Sequence, residues 1–141
     1  MPSYAELHCI SNFSFLKGAS HPEEMVERAK TLGYRAIAIT DECSVAGIVR
    51  AHVAAQAAGI QLIIGSEFQL EEGTRFILIA KNRSGYGYIC NLISTARRRA
   101  PKGDYYLSYK HFVETENNCI AIWLPGNESL EEARTKVVPW L

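Results

Sequence analysis

The stretch "GYRAIAITDECSVAGIVRAHVAAQAAGIQLIIGSEFQL", Gly33 to Leu70, decides the fold. Two apolar runs, "RAIAIT" and "QLIIGSEFQL", flank the alanine-rich segment "VAGIVRAHVAAQAAG". Both runs are isoleucine-rich and too short for buried helices, so they read as strands. The second run does not alternate, which suits a strand covered on both faces. The segment between them is long enough for a helix and closes on Gly59. Strand, helix and strand in that order make a unit whose two strands run parallel.

The pattern continues outward in both directions. Towards the N-terminus, Tyr4 to Cys9 reads as a short strand, and Ser20 suits an N-cap with Glu23 completing a capping box. Pro22 fits the first helical turn, while Met25, Val26, Ala29 and Leu32 share one face and Gly33 follows the last turn. Towards the C-terminus, "EEGT" reads as a turn, and "RFILIA" as a strand pairing back in a hairpin. "SGYGYICNLISTARRR" predicts a third helix, "APKGDYY" a loop, "HFVETE" weak helix and "CIAIWLPG" a strand and turn. "NESLEEARTK" starts a last helix, which "VVPWL" interrupts. The order predicts an α/β fold with mostly parallel strands. The apolar tail Val137, Val138, Trp140 and Leu141 reads as the cut end of something longer.

Composition excludes several classes of function. The 141 residues suffice for one domain with a core, and 48% hydrophobic with 21% charged residues is ordinary for a globular chain. The formal net charge of +0 excludes a chain-wide electrostatic nucleic-acid binder. No apolar run approaches the ~20 residues of a membrane span, so no membrane partner is expected. "MPSYAELHC" lacks the features of a signal peptide, and the expected location is the cytoplasm. Cys9, Cys43, Cys90 and Cys119 show no paired spacing and read as free, mostly buried thiols.

In parallel α/β folds, functional side chains gather at the carboxyl ends of strands. Here those positions hold His8, then Asp41 with Glu42, then Glu67, and finally Leu124. A histidine and three carboxylates converging on one rim have the chemistry to bind a divalent metal. Plainer readings stand beside this one: His8 as a hydrogen-bonded core histidine, and Asp41 as a turn or cap residue. Glu67 resists a plain reading, because a carboxylate between "IIG" and "FQL" is costly to bury unpaired.

"LHCISNFSFLKGAS", "LGYRAIAITDECSVAGIVRAH", "GIQLIIGSEF" and "RFILIAKNRSGY" occur in order with short gaps. As an ordered set they resemble the polymerase-and-histidinol-phosphatase (PHP) domain at the N-terminus of bacterial DNA polymerase III alpha subunits. "ISTARRRAPKGDYYLS" and "AIWLPGNE" point to the error-prone branch of those subunits, which acts in damage tolerance. The resemblance implies a distorted (β/α)7 barrel about twice this length, so that residues 1–141 are an N-terminal portion of one PHP domain. It also implies a metal site that has been altered. His8 and Glu67 match ligand positions of metal-binding relatives, and Asp41 matches the Asp of an Asp-His pair. Ile10, Lys17, Glu42, Arg75 and Leu124 stand where those relatives carry further ligands. Ile10 and Leu124 have no donor atom, and Lys17 and Arg75 bring positive charge to a place built for cations. Glu42 alone retains a ligating group.

The implied function is that of a catalytically silent structural and interaction module, with no cofactor of its own. It would belong to a template-directed nucleotidyltransferase active in DNA replication, repair and translesion synthesis. The parent's reaction would use Mg²⁺ and deoxynucleoside triphosphates at carboxylates downstream. The implied partners are the rest of the polymerase chain, DNA through that parent, and other damage-tolerance subunits. One rival is an active metal-dependent phosphoesterase. A second is a single-stranded nucleic-acid binding module built on Arg97, Arg98, Arg99 and Lys102, with Tyr105, Tyr106 and Tyr109 stacking bases. That run equally suits a helix C-terminus, where cations meet the macrodipole, or a contact with a neighbouring domain. With the metals gone, Arg75 or Lys17 is expected to pair with Glu67, Asp41 or Glu42.

Overall fold

The computed structural model describes residues 3–112, 118–127 and 129–137. Strands are β1 (Ala5–Glu6), β2 (Ala36–Ile39), β3 (Gln61–Gln69), β4 (Arg75–Ala80) and β5 (Cys119–Leu124). Helices are α1 (Pro22–Thr31), α2 (Ile48–Ala58), α3 (Arg83–Arg98) and α4 (Leu130–Val137), with a 3-10 turn at Tyr109–His111. The strands form one sheet in chain order. Pairing is parallel from β1 to β3 and antiparallel from β3 to β5. The α/β reading therefore holds, but the sheet is mixed: mostly parallel strands describe its first half only. The hairpin at "EEGT" has the expected physical cause. Leu70 N–H donates to Thr74 at 2.8 Å, and Gly73 takes a φ of 85°, a conformation that favours glycine.

Two helix starts lie later than the sequence pattern suggests. The N-cap of α1 is His21 rather than Ser20, and its backbone N–H donates to Glu24 at 2.7 Å, so the box closes on Glu24 instead of Glu23. Ser20 is held in the preceding loop, its carbonyl accepting from Asn12 N–H at 2.9 Å. α2 starts at Ile48, three residues into its segment's pattern, because the preceding turn is fastened elsewhere. Ser44 N–H donates to Ser66 Oγ at 3.2 Å, and Cys43 N–H donates to the Glu67 carbonyl at 2.8 Å. β1 is also shorter than Tyr4–Cys9, although Arg35 N–H still bonds Tyr4 and Thr40 N–H still bonds Cys9 at 2.8 Å each. The 3-10 turn at Tyr109–His111 meets the weak helix expected in "HFVETE" at His111 alone. Residues 113–117 and the tail Val138 to Leu141 lie outside the described residues.

Register divides the sheet into two faces, since cross-strand partners point the same way. Ile37, Ile39, Leu62, Ile64, Phe68, Phe76 and Leu78 face the helices. Val26 and Ala29 of α1 and Ile48, Ala51 and Ala55 of α2 cover the parallel half. Ile89, Leu92 and Ala96, on one face of α3, cover the antiparallel half. Phe68, Phe76 and Phe112 extend that second cluster, with ring centroids 5.7 and 4.9 Å apart in successive pairs. The opposite face carries Ala36, Ala38, Ile63, Gly65, Glu67, Ile77 and Arg75, so Glu67 stands on the side away from the helices. Of the four cysteines, all free, only Cys43 is fully buried; Cys9, Cys90 and Cys119 are half-buried, short of the mostly buried thiols expected.

Candidate functional site

The rim at the end of β2 and in the second half of β3 is where the selected polar residues meet. Glu67 is the centre. Its side chain is only 4% exposed, yet both of its oxygens are engaged. Oε2 lies 2.7 Å from His8 Nε2, and a carboxylate can only accept, so the imidazole donates. Oε1 accepts from Arg75 Nη2 at 2.5 Å and Nε at 3.1 Å. Register explains the second contact. Glu67 pairs with Ile77 and Gln69 pairs with Arg75, so Arg75 is the diagonal neighbour of Glu67 on the same face. Leu124 is directly opposite Arg75 on β5, which puts it on that face with no polar atom to offer. The carboxylate and the neighbouring Glu42 hold the Arg75 guanidinium above its already high ordinary pKa, against the opposing effect of burial.

Lys17 reaches the rim from the loop between β1 and α1 and pairs with Glu42 Oε2. Tyr105 OH donates to Glu42 Oε1 at 2.9 Å and accepts from Gln69 N–H at the same distance. Burial pushes the Glu42 carboxyl up, but the hydrogen bonds from Lys17 and Tyr105 and the charges of Lys17 and Arg75 outweigh it. The net position is below the ordinary 4.5. Burial and the Glu42 charge drive the Tyr105 phenol strongly up, so it stays a donor. The expected ion pairs are thus present at both Arg75 and Lys17.

Asp41 is held differently, with no ion pair to a cation among the described residues. It is 1% exposed. Oδ1 accepts from Ser11 N–H at 2.8 Å and Ser14 Oγ at 2.7 Å, and Oδ2 accepts from Ser11 Oγ at 2.7 Å. These bonds tie the loop after β1 to the end of β2. Gly18 closes that loop: a Cβ there would stand 2.0 Å from the Ser11 carbonyl oxygen. Ile10 lies half-buried at the start of the same loop.

The arginine run divides. Arg97 turns inward, donating to the carbonyls of Cys43, Gly103 and Asp104 at 3.1–3.3 Å and of Glu42 at 3.4 Å. Its guanidinium also lies 5.3 Å from the Tyr105 ring centroid. Neither Arg97 nor Tyr105 is therefore free to meet a nucleic acid, contrary to the base-stacking rival. Arg98, Arg99 and Lys102 are exposed. Sequence reasoning passed over Ser11 and Ser14 as site residues and assigned Tyr105 outward. The only signal was two serines three apart in a loop, which is too common a spacing to single out.

Among the described residues, no group of three or more His, Cys, Asp and Glu side chains is arranged to hold a metal ion. No described helix is long and apolar enough to cross a membrane.

Residues 6–126 match the family model described as PHP domain. The chain belongs to the PHP domain family. Its PHP domain is 51% identical over 133 residues to an error-prone DNA polymerase of Dechloromonas aromatica, covering 90% of this chain and 13% of the relative. A second error-prone DNA polymerase, from Methylococcus capsulatus, is 56% identical over 131 residues, covering 92% of this chain and 12% of the relative. The chain therefore spans about an eighth of the curated relatives it matches. Among solved structures, a Bifidobacterium adolescentis protein provisionally assigned as a metal-dependent phosphoesterase superposes with a TM-score of 0.56 at 27% identity. It covers 67% of this chain and 33% of that one. An amidohydrolase from Chromobacterium violaceum superposes over the same shares with a TM-score of 0.57 at 23% identity and speaks to fold alone. Those neighbours are barrels, and the five-stranded sheet of this PHP domain is an arc of such a barrel.

Proposed function

We propose that residues 1–141 are an N-terminal portion of the PHP domain of an error-prone DNA polymerase III alpha subunit. In that setting they serve as a catalytically silent scaffold, with side-chain ion pairs in place of a metal centre. The observation that carries this reading is the double engagement of Glu67, by His8 on one oxygen and Arg75 on the other. All six carboxylate oxygens of Asp41, Glu42 and Glu67 have protein partners. A metal centre requires several such oxygens or imidazoles at once, and two fixed cations beside them oppose a third. The donor set does not fit a metal. The parent polymerase would carry out template-directed nucleotidyl transfer with Mg²⁺ and deoxynucleoside triphosphates, including synthesis past damaged template. Its chemistry would lie outside this chain, and its partners would be DNA and other damage-tolerance subunits in the cytoplasm.

Metal analysis tests the reading. Purified without chelators, the polymerase should carry well under one equivalent of Zn, Mn or Fe, and added Mn²⁺ should elicit no phosphoesterase activity. Stoichiometric metal lost on substituting His8 or Glu67 would overturn the reading in favour of an active phosphoesterase.

A further inference from the structure

The loop between β1 and α1 presents the two most exposed large apolar side chains among the described residues. Phe15 is 85% exposed and Leu16 is 89% exposed, and they are adjacent. Single exposed apolar residues are ordinary, but two neighbours extended fully into water on a fixed support are not.

The support is fixed from several sides. Asp41 accepts three hydrogen bonds from Ser11 and Ser14, which fasten the chain leading into Phe15 and Leu16. Lys17 N–H and Gly18 N–H both donate to the Ser14 carbonyl, at 3.0 and 3.1 Å, closing the turn behind it. The Lys17 side chain is anchored on Glu42. Phe13 turns the other way, its ring packed so close to Gly47 that a Cβ there would stand 2.9 Å from it. One edge of the Phe13 ring thus packs on the protein, leaving it 36% exposed, while the next two large side chains are held out almost fully. Leu16 also has a φ of 61°, a left-handed conformation that costs a leucine energy and is held by the turn that Lys17 and Gly18 close on Ser14. Strain retained at an exposed, well-tethered position points to a use for the shape.

We propose that Phe15 and Leu16 form a pre-organised knob that inserts into an apolar socket on the remainder of the same polymerase chain. The inference rests on the reading given under Proposed function. That reading supplies the occupant: the relatives are about eight times longer than this segment, so most of the parent's surface lies outside it. Pre-organisation suits an intramolecular interface, because ordering the loop costs nothing further at docking.

Hydroxyl-radical footprinting of the full-length polymerase tests the knob without altering it. Side-chain oxidation is compared between the native chain and the same chain in denaturant. Docking predicts that Phe15 and Leu16 are protected about fivefold, the fall from 85% exposure to a packed interface. Protection should persist on dilution. Oxidation near the denatured rate overturns the inference while leaving the polymerase reading intact. Protection that disappears on dilution also overturns it, since the occupant is then a second copy. A natural gene product whose intact mass ends at Leu141 overturns the polymerase reading itself, and this inference with it.

Discussion

Replacing Arg75 by alanine isolates the exchange of metal for side-chain charge. The substitution leaves Glu67 Oε1 buried without a donor, while His8 still serves Oε2. Truncating one partner of a fully buried pair costs ~3–5 kcal/mol, and an exposed pair is worth ~0–1 kcal/mol. This pair is lopsided, with side chains 4% exposed for Glu67 and 47% for Arg75. Water can reach the arginine but not the carboxylate. The expected cost of Arg75→Ala is therefore intermediate, about 2–3 kcal/mol. Glu67→Gln should cost less, about 1 kcal/mol, because the amide oxygen still accepts from Arg75, the other imidazole tautomer of His8 can accept from the new NH2, and the freed charge is hydrated. The double variant should recover part of the loss, with a coupling of about 1–2 kcal/mol. Urea unfolding of the four proteins, followed by circular dichroism, gives the cycle directly. An Arg75→Ala protein within ~0.5 kcal/mol of the parent, or a cycle without coupling, would refute the claim that the guanidinium neutralises a buried carboxylate.

Acid stability should report on Glu42. Its folded pKa lies below the ordinary 4.5, so its contribution is fully present above that value and is lost as pH falls through the lower folded value. Lys17→Met or Tyr105→Phe should shrink that acid-labile contribution, which a denaturation series from pH 6 to pH 3 would read as a flatter slope. The arginine run should behave as two kinds of residue. Arg97→Ala removes donors from four backbone carbonyls and should cost ~1–3 kcal/mol, whereas Arg98→Ala and Arg99→Ala should stay within ~0.5 kcal/mol. Equal effects at all three positions in thermal melts would sink the division of the run.

By itself the sequence determined the elements and their order. Gly33 to Leu70 shows its strand, helix and strand because apolar periodicity and a closing glycine are local properties, written in neighbouring residues. The hairpin after Leu70 was equally legible, since "EEGT" supplies the turn conformation within four residues. Glu67 announced itself through the cost of burying its charge. Tertiary structure decided who answers that charge. Arg75 meets Glu67 only through the β3–β4 register, Lys17 meets Glu42 across 25 positions of chain, and Tyr105 arrives from 63 positions away. The antiparallel placement of β5, which makes the sheet mixed, depends likewise on which edge of β4 was left open. Ser11 and Ser14 look like ordinary loop serines until folding brings Asp41 between them, and Arg97 looks like its two neighbours until its side chain finds four carbonyls. A residue's chemistry is carried in its own identity, but its partner is a matter of distance in space, which spacing along the chain does not encode.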